Sequence, residues 1–262
     1  MKQGLPSLTL IAILSGLVTG CVTEQTYTGT DIPVSERTFD KVAAAKERTQ
    51  LGLTYLQRGN SELAKFNLDK AMAYAPELEE VHVAMAYFYQ TVGDLPRTEE
   101  AYRHAVRSSN ASGDSMNNFG VFLCQQKRFG EAEEMFLKAI DQPKYTRTAS
   151  SYENLGLCSR DAGQIEKARH YFDMALKYDP RRATSLLEMT EIAMDSKDFQ
   201  GAKRMLERLH SVIPESASSL ALGVEIERQL NNRDASSRYG IMLLAKFPAS
   251  PEAKEYRASL NQ

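Results

Sequence analysis

Three cysteines, four histidines and several paired glutamates are the residues of this chain whose types are suited to chemistry. A thiolate attacks acyl groups or disulfides, whereas an un-ionised thiol packs as a small apolar side chain. Cys124 and Cys158 have no histidine or acid beside them in a recognisable catalytic pattern. They are open to three readings: two buried thiols, a disulfide in an oxidising compartment, or a catalytic thiol. His82, His104, His170 and His210 are scattered, and no pair sits at metal-ligand spacing with a carboxylate. They read as packing or surface residues. Glu79-Glu80 and Glu133-Glu134 read as solvated helix faces. G-x-S-x-G, the P-loop and other glycine-rich phosphate cradles are absent. No catalytic residue, metal site or cofactor is expected.

Cys21 stands apart because of what precedes it. MKQGLPSLTLIAILSGLVTGC has a charged Lys2, an apolar run from Leu8 to Val18 and small residues before the cysteine. That is the layout of a secretory signal, and the run is shorter than the ~20 apolar residues that span a bilayer. Val18-Thr19-Gly20-Cys21 resembles the bacterial lipoprotein box. The resemblance implies cleavage before Cys21 and acylation of its thiol. Val22 follows, where an Asp would signal inner-membrane retention, so the same resemblance implies the periplasmic face of a Gram-negative outer membrane. Several acyl chains anchor far more firmly than one. Residues 22–35 are polar, contain Gly29 and Pro33, and show no helical period. They read as a tether of roughly 45–50 Å when extended, with Ser35 as an N-cap for a helix starting near Glu36. Net charge is −2. That near-balance gives no basic footprint for nucleic acid.

The elements that must position any site repeat every 34 residues. Leu51–Pro76, LGLTYLQRGNSELAKFNLDKAMAYAP, matches the tetratricopeptide pattern of spaced Leu-Gly, Tyr, Ala, Ala and Pro. With Ala45 as position 1, position 8 is Gly52, Ala86, Gly120, Gly156, Thr190 and Val224. Position 20 is Ala64, Thr98, Ala132, Ala168, Ala202 and Ser236, and position 27 is Ala71, Ala105, Ala139, Ala175, Leu209 and Leu243. Pro76, Pro180, Pro214 and Pro248 share position 32. Small residues at these places let two helices approach closely, and proline ends the second. The expectation is an all-α tetratricopeptide solenoid of about six helical hairpins in a right-handed superhelix. Its units are 45–78, 79–112, 113–146, 149–182, 183–216 and 217–250, interrupted by Arg147-Thr148 and closed by a capping helix over 251–262. Unit six is the weakest, with Gly240 where a large apolar residue usually packs.

Resemblance to tetratricopeptide proteins also implies a concave groove lined by positions 2, 5, 9 and 12 of each first helix. Position 9 is Leu53, Tyr87, Val121 and Leu157, then Glu191 and Glu225. Leu56, at position 12, adds an apolar group in unit one. Leu53, Leu56, Tyr87, Val121 and Leu157 are the expected contact residues, in a groove apolar over four units and acidic over two. Co-chaperones of this fold hold acidic peptide ends with Lys at position 5 and Asn at position 9, and neither is present there. An apolar groove suits an amphipathic helix or hydrophobic strand.

A lipobox, a short tether and six repeats resemble the type IV pilus pilotin family, often called PilF or PilW. LGLTYLQRGNSELAK, NNFGVFLCQQKRFGEAEEMF, ENLGL and SLLEMTEIA carry the likeness in order along the chain. It implies a non-catalytic outer-membrane lipoprotein that binds a subunit of the pilus secretin and promotes its delivery and multimer assembly. Its partners would be that subunit, in the groove, and the membrane, through Cys21. The alternative is a lipoprotein scaffold for cell-wall enzymes or the outer-membrane protein insertion machinery.

Overall fold

The computed structural model of the chain describes residues 39–107 and 111–260. The expected signal segment, Cys21, the tether and the Ser35 cap lie outside the described residues. Among the described residues a compact unit begins at Val42. That unit is the solenoid.

Thirteen α-helices and no strands occur among the described residues. They run α1 (Lys41–Gln57), α2 (Ser61–Tyr74), α3 (Glu79–Thr91), α4 (Leu95–Arg107), α5 (Gly113–Gln125), α6 (Phe129–Ile140), α7 (Thr148–Asp161), α8 (Ile165–Tyr178), α9 (Ala183–Asp195), α10 (Phe199–Val212), α11 (Ala217–Gln229), α12 (Arg233–Lys246) and α13 (Pro251–Ser259). From α1 to α12, odd and even helices alternate as the first and second arms of antiparallel hairpins, an all-α tetratricopeptide fold closed by α13.

The turn between arms has one chemistry throughout. Gly59, Gly93, Lys127, Gly163, Lys197 and Asn231 all adopt positive φ, between 57° and 81°. Each is position 15 of its unit. Glycine takes this conformation without strain; the lysines and asparagine accept a small penalty to keep the turn. Second arms then start on caps such as Asn60, Asp198 and Asn232, whose side chains accept a backbone N–H three residues on.

Packing inside each hairpin follows the small residues. Ala64, Ala71, Ala105, Ala132, Ala139, Ala168, Ala175 and Ala202 are buried. Position 8 faces position 24 of the same unit. A Cβ added to Gly52, Gly120 or Gly156 would come within 2.8, 2.8 and 2.5 Å of Leu68, Phe136 and Phe172 respectively. The missing methyl is therefore occupied volume, filled by the large side chain of the second arm.

A polar seam joins successive hairpins. Ser115, Ser151, Ser185 and Ser219, all at position 3, are buried. Ser115 donates to Glu79, Ser151 to Asn117 at 2.8 Å, Ser185 to Glu153 at 2.7 Å, and Ser219 shares a hydrogen bond with His210 at 2.9 Å. Each partner lies in the preceding unit. Buried hydroxyls must find partners, so these bonds set how one hairpin sits on the next. A covalent link reinforces the seam at its centre: Cys124 of α5 and Cys158 of α7 form a disulfide, with Cα atoms 5.8 Å apart.

The two irregular places are both accommodated. Thr148 of the insertion opens α7, and the preceding loop lays Tyr145 against Gly113, where a Cβ would strike the ring. Its hydroxyl meets Ser151 Oγ at 2.7 Å. In unit six, Gly240 leaves a socket that the Tyr256 ring of α13 occupies. Ala253 of α13 joins Leu220 and Leu243 in a terminal apolar cluster. Gly240 is thus the seat of the cap rather than a lost packing residue.

Candidate functional site

α1, α3 and α5 lie side by side as the first arms of three hairpins. Their stripe at position 9 faces a groove of roughly 1220 Å³ lined by Leu53, Tyr87 and Val121. Val83 and Ala84 widen the apolar floor, and Tyr102 of α4 reaches it from beneath. Tyr87 is 47% exposed and stands over the half-buried Leu53 and Val121. Tyr102 is buried, stacked on Phe119 and tilted against Phe122, with ring centroids 5.6 and 5.7 Å apart. Burial, and next the Tyr87 ring beside it, push its phenol up to about 12. It is a neutral hydroxyl at any physiological pH.

Leu53, Tyr87 and Val121 therefore come together as their spacing predicts. The two remaining expected contacts do not join them. Leu56 is 5% exposed and belongs to the core cluster that includes Phe88. Cys124, also at position 12, likewise turns toward the next unit, where it meets Cys158 at position 10, whereas the polar Gln90 at the same position stays in the groove. Leu157 is partly buried against a cluster of Ala168, Phe172 and Ile192 and does not line the groove.

The later units also differ from a bare acidic floor. Arg160 pairs with both Glu188 and Glu191, the latter at 3.0 Å. Glu225 pairs with Arg228 at 3.2 Å. Glu153, at position 5 of unit four, is buried and bonded to Arg182 and Ser185 at 2.6 and 2.7 Å. Burial, the largest influence, raises its pKa, but bonds from Arg182 and Ser185 together outweigh it and hold the carboxyl below its usual value. These acids are committed to internal pairs.

Five amides in the groove went unread as a set: Gln50, Gln57, Gln90, Asn118 and Gln125. They occupy positions 6, 12 and 13, and those three or four places from position 9 share its helical stripe. Gln90 donates to Gln125 across neighbouring hairpins at 2.8 Å. Lys46 pairs with Glu80 at 3.3 Å, and Glu79 is taken up by Ser112 and Ser115. Among the described residues no group of three or more His, Cys, Asp or Glu is placed to hold a metal ion. Likewise no helix among them is long and apolar enough to cross a membrane.

Comparison with known proteins agrees with this architecture. Tetratricopeptide repeat families match residues 48–78 and 112–181. The type IV pilus assembly protein PilF of Pseudomonas aeruginosa is 32% identical over 250 residues, covering 95% of this chain and 97% of its own length. The chain belongs to the PilF family. The solved Pseudomonas aeruginosa PilF structure superposes with a TM-score of 0.71, covering 84% of this chain and 99% of that one. PilW, a widely conserved type IV pilus biogenesis factor, superposes with a TM-score of 0.68 at 27% identity, covering 80% of this chain and 97% of PilW. A PilF-family chain with this fold is a tetratricopeptide protein of type IV pilus biogenesis. Tetratricopeptide proteins of pilus biogenesis bind protein partners.

Proposed function

We propose that this chain is a non-enzymatic, lipid-anchored pilotin on the periplasmic face of the outer membrane. It binds secretin subunits of the type IV pilus and promotes their delivery to that membrane and their assembly. The groove along α1, α3 and α5 is the observation that carries the reading, because it presents the exposed Tyr87 between the half-buried Leu53 and Val121 within a pilus biogenesis family. Covering what remains exposed of Leu53, Tyr87 and Val121 supplies roughly 2–5 kcal/mol gross, so further contacts along the groove must offset the cost of association and ordering. Acylation of Cys21 holds the protein at the membrane, and residues 22–35 give the bound subunit reach.

The test is a detergent pull-down of the tagged, lipidated protein from membranes, with the bound proteins identified by mass spectrometry. A secretin subunit is expected. Leu53→Asp with Tyr87→Asp should weaken its capture about a hundredfold or more while leaving helical circular dichroism unchanged. Cys21→Ser should give a protein released from the membrane that still captures the subunit. Recovery of cell-wall hydrolases or barrel-insertion proteins in place of a secretin would overturn the reading.

A further inference from the structure

The proposed function leaves open what kind of segment the groove holds, and the five amides bear on that. An apolar floor alone accepts a helix or a strand equally. Here Gln50, Gln57, Gln90, Asn118 and Gln125 come from all three first arms and share the groove with Leu53, Tyr87 and Val121. Each carboxamide carries two N–H donors and an accepting oxygen. An amphipathic helix satisfies its own backbone and would present apolar side chains to these amides, desolvating the donors and acceptors that the Gln90–Gln125 bond leaves unused. An extended segment has the opposite need. Its backbone N–H and C=O groups must find partners once buried, and side chains at alternate residues can enter the apolar floor.

The Gln90–Gln125 bond spans α3 and α5. If it opens, a donor and an acceptor become available on opposite sides of one peptide unit. Three first arms packed about 9 Å apart span roughly 20 Å, the length of about six extended residues. Charge narrows the occupant further. The charged groups lining the groove are Glu47, Glu79, Glu80 and Asp114 against Lys46 alone. Glu80 pairs with Lys46, Glu79 serves Ser112 and Ser115, and Asp114 lies 3.5 Å from Arg147. Glu47 is exposed on α1. The rim repels acidic peptides and favours a basic side chain near α1.

We infer that the groove takes an extended, apolar segment of about six residues carrying a basic residue, gripped through its backbone by the amides. This deepens the proposed function and rests on it only for the identity of the partner.

The amides and the apolar floor can be separated experimentally, because replacing Gln by Leu keeps volume and adds apolar surface. Random dodecapeptides displayed on phage are selected on the full folded chain, and binders displaced by Leu53→Asp are kept. The expected binders alternate apolar residues at every second place, carry Lys or Arg, and lose about tenfold in affinity on Gln90→Leu with Gln125→Leu. Methylating their backbone nitrogens at alternate residues should cost a similar factor. Binders with apolar residues three and four apart, binding unchanged or tightened by the double Leu variant, or no binder sensitive to Leu53→Asp would overturn the inference.

Secretin capture separates the two readings. If the wild-type chain captures no secretin while the peptide results hold, the pilotin assignment fails and the groove chemistry stands. If capture is undiminished in the double Leu variant, the groove chemistry fails and the pilotin assignment stands.

Discussion

Reducing the Cys124–Cys158 bond isolates one contribution to the solenoid, because both sulfur atoms stay in place. The bond closes a loop of 34 residues between adjacent first arms. Restricting the unfolded chain over a loop of that length is worth about 3.8 kcal/mol at 25 °C in the chain-entropy model. Residual structure in the reduced unfolded state lowers the figure, so a loss of about 2–4 kcal/mol is the working range. For a domain of this size that is a fall of about 5–15 °C in melting temperature. Repeats couple only to their neighbours, so the loss should concentrate in units three and four. The assay is urea unfolding of the chain with and without a phosphine reductant, followed by circular dichroism, with hydrogen exchange to locate the loss. Cys124→Ala with Cys158→Ala, which also removes the sulfur volume, should lose somewhat more. A reduced protein within about 1 kcal/mol of the oxidised one would refute the reasoning and leave the pair as packing groups. Loss spread evenly over all units would refute the nearest-neighbour account.

Other perturbations test the packing and the seam. Gly156→Ala places a methyl 2.5 Å from the Phe172 ring and should cost about 1–3 kcal/mol by urea unfolding. Tyr256→Ala empties the socket over Gly240, so α13 should exchange its amides faster while α1 to α10 stay unchanged. The depressed pKa of Glu153 means that the unfolded state binds its proton more readily. Its contribution is present above the ordinary glutamate value near 4.5 and lost as pH falls through the lower folded value. The urea midpoint should therefore drop below about pH 4.5, and Glu153→Gln should flatten that dependence while lowering stability at pH 7.

The repeat phase was legible because it is local. A hairpin needs small residues where its arms cross, a left-handed turn between them and a stop after the second, and these needs recur every unit. Position 15 is independent support: it adopts positive φ in all six units although only three carry glycine. Leu53, Tyr87 and Val121 were legible for the same reason, since a stripe on one helix follows from its period. Which stripe faces a neighbour depends on the angle between hairpins, and no single unit encodes that angle. Leu56 and Leu157 therefore turned inward against later elements. The serines at position 3 and their acid, amide and imidazole partners tie each hairpin to the one before, yet each looks like an ordinary polar residue until the next hairpin lies against it. Gly240 reads as a defect in its own unit and as a socket once Tyr256 arrives from α13. Residue spacing along the chain thus settled the elements and their inner faces. Burial, pairing and the reach of the groove arose only when hairpins stacked, because those properties belong to contacts between units rather than to any stretch of chain.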